Sequence, residues 1–378
     1  MRKLPIVIIM LTLTVLGGIY WYRISQPKPL LEAYNVRSLS FFPDGRVVVV
    51  SNVPLTDMGF LAVYSPNRTQ LWNLTFGKDG TYWDDVLYAK VSPNGKYLGV
   101  LTATRAMLYG ENGTLLWERK IGSWWRGVGW TSIDFTEDSK YVGFGIRGSE
   151  SAFYVFSIDG TPVINGTGEG IVGMRLSTKG IYLMEDYLFS AGTLNSRIFY
   201  LGFDGTNWSL EFPHGSPRGL DILETPNGTY VAYADCEFGL SLIKDGKMVW
   251  NRDNGSCYWD VVFWNGSIYG ASNLGVKVYS INGTFLNVFD EKLDIPWTFI
   301  KGGKNLLVFN VYMDPNLERW THVYLLKNGM RELVKIKGCY IGNNISHAKA
   351  DYRGGWLLFG IYGDKGKLDK VYLIPVRD

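Results

Sequence analysis

A single unit, strand–turn–strand–loop–strand–turn–strand, repeats along the chain from residue 30 to residue 378. Its clearest copy is VLYAKVSPNGKYLGVLTATRAMLYGENGTLLWERKIG, residues 86–122. Apolar residues alternate through "KYLGVL" and "AMLYG", the period-two pattern of strands whose faces are covered by neighbouring sheets. The first turn of the unit recurs at Asp44-Gly45, Asn94-Gly95, Asp138-Ser139, Lys179-Gly180, Asn227-Gly228, Asn265-Gly266, Gly302-Gly303 and Arg353-Gly354, at spacings of 37 to 51 residues. The second recurs at Pro66-Asn67, Asn112-Gly113, Asp159-Gly160, Asp204-Gly205, Asp245-Gly246, Asn282-Gly283 and Asn328-Gly329.

A four-stranded unit with this period is the signature of a propeller blade, because one such sheet cannot bury both faces alone and must stack on the next. The first turn occurs eight times and the second seven. After Arg353-Gly354 the chain supplies only GWLLFGIYG and KVYLIPVRD, so the last unit lacks its outermost strand. LLEAYN (Leu30–Asn35), ahead of the first turn, is similar to the outer strand LLWERK of the clearest copy. The expected architecture is therefore an all-β, eight-bladed β-propeller whose N-terminal strand completes the last blade and removes an exposed sheet edge. A seven-bladed ring is the alternative, and it leaves one unit unassigned.

The rest of the composition agrees with many short strands: aromatic residues are 15% of the chain and glycine is 45 of 378. The formal charge is +3 with no basic run, which gives no reason to expect a nucleic-acid partner. From Leu4 to Tyr22 no charged residue occurs over 19 positions, enough for a helix to cross a bilayer. Arg2 and Lys3 precede this stretch, and Tyr20, Trp21 and Tyr22 end it as an interfacial aromatic belt would. Residues 1–29 read as a transmembrane anchor with a short linker, and residues 30–378 as the propeller. A cleaved signal peptide is the competing reading, though no small-x-small site closes the apolar run.

Sequons begin at Asn67, Asn73, Asn112, Asn165, Asn207, Asn227, Asn254, Asn265, Asn282 and Asn344. N-G-T and N-G-S also suit hairpin turns, which explains part of this set but not Asn67, Asn73, Asn207 or Asn344. The expectation is an N-glycosylated domain outside the cytoplasm, held to a membrane. Three cysteines are too few for a disulfide scaffold. A Cys236–Cys257 bridge would link two loops on one face of one blade, leaving Cys339 free; Cys257–Cys339 is the alternative.

The outer halves NGTLLW (Asn112–Trp117), DGKMVW (Asp245–Trp250) and NRTQLW (Asn67–Trp72) resemble the G-x-x-x-W half of quinoprotein-like (PQQ-like) propeller repeats. The inner halves SPNGKYLGV and FFPDGRVVVV are similar to WD40-like and YVTN-type repeats. The resemblance implies the propeller fold. It does not extend to quinoprotein chemistry, because no two cysteines are adjacent and the docking motif is incomplete in every unit. No cofactor, catalytic residue or metal site is carried over.

His214, His322 and His347 stand apart from one another and form no ligand motif. Chemistry concentrates instead in the loops that lead from an outer strand to the next inner strand: TYWDD, SWWRGVGW, CYWD and IPW. These place Trp83, Asp84, Asp85, Trp124, Trp125, Trp130, Trp259, Asp260 and Trp297 on one face as candidate ligand-binding residues. Tryptophan beside aspartate suits sugars, with the ring covering apolar faces and the carboxylate accepting hydroxyl protons. The competing role for each is structural, the ring wedging between blades and the carboxylate capping a turn. Two functions follow. One is a non-catalytic module that engages an envelope or cell-surface protein or a glycan. The other is a glycan hydrolase or lyase with carboxylates at the channel mouth.

Overall fold

The computed structural model describes residues 27–376 apart from 54–57, 78–85, 122–129, 148–150, 189–193, 273, 290–297, 302–304, 314–317, 327–328, 339–349, 354 and 362–367. Within these, the strands form eight four-stranded antiparallel sheets. Blades 1 to 7 span 36–76, 86–120, 130–168, 171–212, 217–252, 258–289 and 298–337, each with its strands in sequence order. Blade 8 takes three strands from 350–375, and its fourth is the N-terminal strand Leu31–Ala33. That strand pairs antiparallel with Asp369–Pro375, Leu31 opposite Val371 and Ala33 opposite Asp369. The ring is therefore closed by the two ends of the chain, and the seven-bladed alternative is excluded. The paired stretch is shorter than LLEAYN, because Asn35 adopts a φ of 45° and turns the chain into blade 1.

Three turns are shifted from their sequence positions; in blade 8 Arg353 is paired opposite Trp356 and so belongs to the strand, not the turn. In blade 4 Ser177 stands opposite Gly180, so Thr178-Lys179 make the turn and Gly180 begins a strand. Ser177 Oγ accepts from the Lys179 and Gly180 amides, an ordering that the K-G pair does not advertise. In blade 5 Thr225 stands opposite Gly228, which places the turn at Pro226-Asn227.

Each blade buries its inner strands and exposes its outer one. Tyr97–Thr102 is buried at five of six positions, whereas Asn207–Phe212 alternates exposed and half-buried until its last residue. The tryptophan of the outer strand fastens one blade to the next. Trp117 and Trp250 donate from Nε1 to the Ile158 and Ile281 carbonyls at 3.0 and 2.9 Å. Their rings lie on Gly160 and Gly283, the turn glycines of the following blade, where a Cβ would stand 2.9 and 2.8 Å from the indole. Trp72 and Trp208 lie likewise on Gly113 and Gly246. Glycine is required at these positions twice over, by a positive φ (87° at Gly160, 83° at Gly283) and by the ring above. Between blades 3 and 4 the corresponding strand carries Ile164, and a Cβ at Gly205 would meet nothing within 4 Å.

The first strands of successive blades adjoin one another from blade 8 round to blade 7 and wall the central channel. A first strand has an unpaired edge, and its N–H groups need acceptors. The preceding blade supplies them. Ser38 and Ser40 Oγ accept from the Ala89 and Val91 amides at 3.2 and 3.1 Å. Asp134 accepts from Leu176 and Asp221 from Phe263, both at 2.8 Å. Asp369 accepts from the Val36 amide at 2.8 Å, which ties blade 8 to blade 1.

Candidate binding site at the channel mouth

The outer-to-inner loops and the loops between second and third strands share one face, here called the loop face; the paired turns lie on the other. Of the sequence-predicted ligand residues, Trp83, Asp84, Asp85, Trp124, Trp125 and Trp297 lie outside the described residues. Trp130 opens the first strand of blade 3. Trp259 and Asp260 lie at the loop-face end of the first strand of blade 6, and both can be placed.

The loops beneath Trp259 are braced from several directions. The loop after Asp235 in blade 5 meets the linker 253–257 that leads into blade 6. Cys236 and Cys257 are joined by a disulfide across this contact. The Gly255 amide donates to the Glu237 carbonyl at 2.8 Å. Asn251 Nδ2 donates to the Phe238 carbonyl at 2.6 Å. Asp235 is fully buried and accepts at Oδ1 from the Glu237 and Phe238 amides, at 2.7 and 3.0 Å. Its Oδ2 takes the Tyr233 hydroxyl, which is also 2.8 Å from Ser196 Oγ of blade 4.

On the other side of the linker Asp253 accepts from the hydroxyls of Tyr258 and Tyr279, each at 2.5 Å, and from Lys277 Nζ at 3.1 Å. Burial alone would raise its pKa; these three donors more than offset it and hold the carboxyl below the usual range. Tyr279 is pushed up to about 12, by burial first and then by its bond to Asp253. The linker is thus charged, neutralised and fixed.

This frame positions Arg218, at the loop-face end of the first strand of blade 5. Arg218 Nε donates to Cys236 Sγ at 3.4 Å, and its guanidinium lies 5.1 Å from the Trp259 ring centroid. Next to Arg218, Gly219 lets the first strands of blades 5 and 6 approach, since a Cβ there would stand 2.9 Å from Asp260 Cα. Asp260 is buried, and its Oδ1 accepts from the Val261 amide at 2.9 Å.

Deeper in the channel a ladder of alternating charge crosses four blades. Lys90 Nζ is 2.5 Å from Asp134 Oδ1, and Arg175 Nε is 3.9 Å from Asp221 Oδ1. Burial pulls the Arg175 pKa down, and the fields of Asp134, Asp221 and Asp260 outweigh it, so the guanidinium stays charged. Burial raises Asp221, with Arg175 opposing. The channel carboxylates therefore serve their neighbours: each has an oxygen on a strand amide, and each faces a cation. Among the described residues no group of three or more His, Cys, Asp or Glu is placed to hold a metal ion.

Sequence reasoning missed Arg218, Asp253, Tyr258, Lys277 and Tyr279. The C-Y-W-D string points to the linker, but its partners come from blade 5 and from the third strand of blade 6, and only the ring brings them together. The ladder does leave a trace. Lys90, Asp134 and Arg175 each precede the last apolar residue before the first turn of their unit, and aligning the units exposes the alternation of charge.

No protein-family model matches the sequence, and a search of curated proteins gives no match. Solved structures do resemble it. The C-terminal WD40 domain of Sif2 is 14% identical, covers 93% of this chain and 99% of its own, and superposes with a TM-score of 0.65. The computationally designed Ika8 protein is 15% identical, over 92% and 100%, with a TM-score of 0.61. Sqt1 of Saccharomyces cerevisiae is 12% identical, over 93% and 100%, with a TM-score of 0.59. At these identities the likeness is one of architecture. Sheet order, ring closure and these neighbours agree that the chain is an eight-bladed β-propeller of the WD40-like fold.

Proposed function

We propose that this protein is a non-catalytic, membrane-anchored propeller that binds a partner outside the cytoplasm through its loop face. The observation that carries this reading is the braced loop assembly at the seam of blades 5 and 6, which holds Arg218 and Trp259 at the channel mouth. Arginine and tryptophan on a rigid frame are the residue types that dominate binding energy at interfaces. A glycosidase would need two carboxyls free to work on either side of a bond. Asp134, Asp221 and Asp260 instead spend oxygens on the inner-strand amides.

Placement of the chain supports the orientation. The closing strand Leu31–Ala33 is an outer strand, so it starts at the turn face. Residues 23–29 separate it from the apolar stretch Leu4–Tyr22 and reach at most about 25 Å when extended. The turn face would then look toward the bilayer and the loop face away from it. The nine sequon asparagines among the described residues are all exposed, as glycosylation requires. Their hairpin role is real too: Asn112 and Asn282 accept from the amides of Thr114 and Thr284.

The test is capture of a partner by the full chain in detergent, comparing the native protein with a Trp83→Ala, Trp125→Ala, Trp259→Ala variant. Loss of capture with unchanged thermal melting supports the loop face. Undiminished capture by the folded variant removes it as the binding surface.

A further inference from the structure

At the seam of blades 5 and 6 the Nη groups of Arg218 and Nε1 of Trp259 lack acceptors among the described residues. Among the described residues Arg218 makes no ion pair; Nε rests on Cys236 Sγ, a weak acceptor, and its Nη groups bond to no described residue. Trp259 Nε1 is buried without a hydrogen-bond partner. The two side chains adjoin, the guanidinium carbon of Arg218 lying over the Trp259 ring at 5.1 Å from its centroid. The cation–π contact and the anchor through Nε hold the guanidinium in place and leave its Nη fork free. That is the arrangement that receives a planar anion through two parallel bonds.

We propose that Arg218 and Trp259 form a carboxylate-binding clasp whose ligand is an acidic side chain of an extended peptide segment in the partner. This deepens the loop-face reading and rests on it. A carboxylate in the guanidinium fork satisfies the Nη donors. The nearby carboxylates do not fill this role. Asp235 is committed to Tyr233 and to two backbone amides, and Asp260 to the Val261 amide and the field of Arg175. A peptide is favoured over an acidic sugar because the guanidinium already covers one face of the Trp259 ring. A pyranose needs an open aromatic face, whereas a carboxylate on a flexible side chain needs only donors.

The frame explains why the clasp stays open. The Cys236–Cys257 disulfide fixes the sulfur on which Nε rests, and the bonds that hold Asp235 and Asp253 fix the loops on either side. An arginine ordered in advance loses less entropy on binding than one drawn from solvent.

The experiment measures binding of a biotinylated hexaglutamate peptide to the full chain in detergent, with hexaglutamine and trigalacturonate as comparators. The native protein should bind hexaglutamate, lose affinity as salt is added, and ignore hexaglutamine. Arg218→Gln should weaken binding about 10- to 100-fold, the loss expected for a charged hydrogen-bonded pair. Arg218→Lys should restore only part of it, because a point charge lacks the fork. Trp259→Phe keeps a ring under the guanidinium and removes only the Nε1 donor, so it should weaken binding less than Arg218→Gln. Thermal melting checks that each variant folds. No binding by the native protein, or equal binding by folded Arg218→Gln, overturns the clasp. Arg218-dependent binding of trigalacturonate without hexaglutamate overturns the peptide and assigns the clasp to acidic sugars. Partner capture that needs the loop-face tryptophans but not Arg218 leaves the loop-face reading standing and removes the clasp alone.

Discussion

The indole of Trp250 lies on Gly283 of the following blade, donating to the Ile281 carbonyl at 2.9 Å while a Cβ on the glycine would stand 2.8 Å from the ring. Gly205 occupies the same turn position in blade 4 with φ 85°, yet nothing lies within 4 Å of its missing Cβ. The pair separates backbone strain from collision. Gly205→Ala should cost only the left-handed backbone penalty, about 1–2 kcal/mol. Gly283→Ala should cost clearly more, because the ring must move as well. Equilibrium urea unfolding of both variants measures the difference, and equal costs would mean the indole is not seated as described.

Ring closure depends on a short strand. Leu30 is buried against Val36, Leu39, Val47, Leu358 and Val371, a cluster shared by blades 8 and 1. Leu30→Ala should destabilise the propeller by about 2–4 kcal/mol, and removing residues 30–35 should lower its melting temperature further. Calorimetry of the two variants checks this; melting that matches the native protein would show that the N-terminal strand does not close the ring.

Asp253 gives the acid limb of stability a specific source. Its folded pKa lies below that of the unfolded chain, so its contribution is complete above the unfolded value and is lost as pH falls through the folded value. Unfolding midpoints followed downward from pH 6 should therefore drop below about pH 4. In Asp253→Asn the midpoint should be lower at neutral pH and the drop below pH 4 shallower. An unchanged acid limb in that variant would contradict the assignment.

The channel ladder is unequal in its two partners. Lys90 is about one-third exposed, so replacing it with Met removes a screened pair and should cost about 1 kcal/mol or less. Asp134→Ala removes that pair and also strands the buried Leu176 amide, for about 2–4 kcal/mol. Chemical denaturation of both variants decides it. The order Lys90 above Asp134 would show that the amide contact carries no weight.

The fold was legible because turn chemistry is local: Asn-Gly and Asp-Gly pairs announce themselves, and their spacing counts the blades. Similarity of LLEAYN to LLWERK marked the closing strand for the same reason. Turn position failed where the local rule competes with a side chain, as when Ser177 draws the blade 4 turn onto Thr178-Lys179. The site was legible only on one side. Trp259 and Cys257 fall in a conspicuous string, while Arg218 is a single arginine about 40 residues upstream with nothing local to distinguish it. Partners that meet across adjacent blades leave no spacing rule in the sequence, since the ring geometry, not the chain, sets the distance.

The central claim is that the loop face, not the turn face, meets the partner. It is tested by placing a photo-crosslinking residue at exposed Glu237 on the loop face, or at exposed Asp204 on the turn face, in the full chain. A discrete crosslinked partner is expected from position 237, abolished by the Trp83→Ala, Trp125→Ala, Trp259→Ala combination, and none from position 204. A partner trapped from position 204 and not from 237 would contradict it.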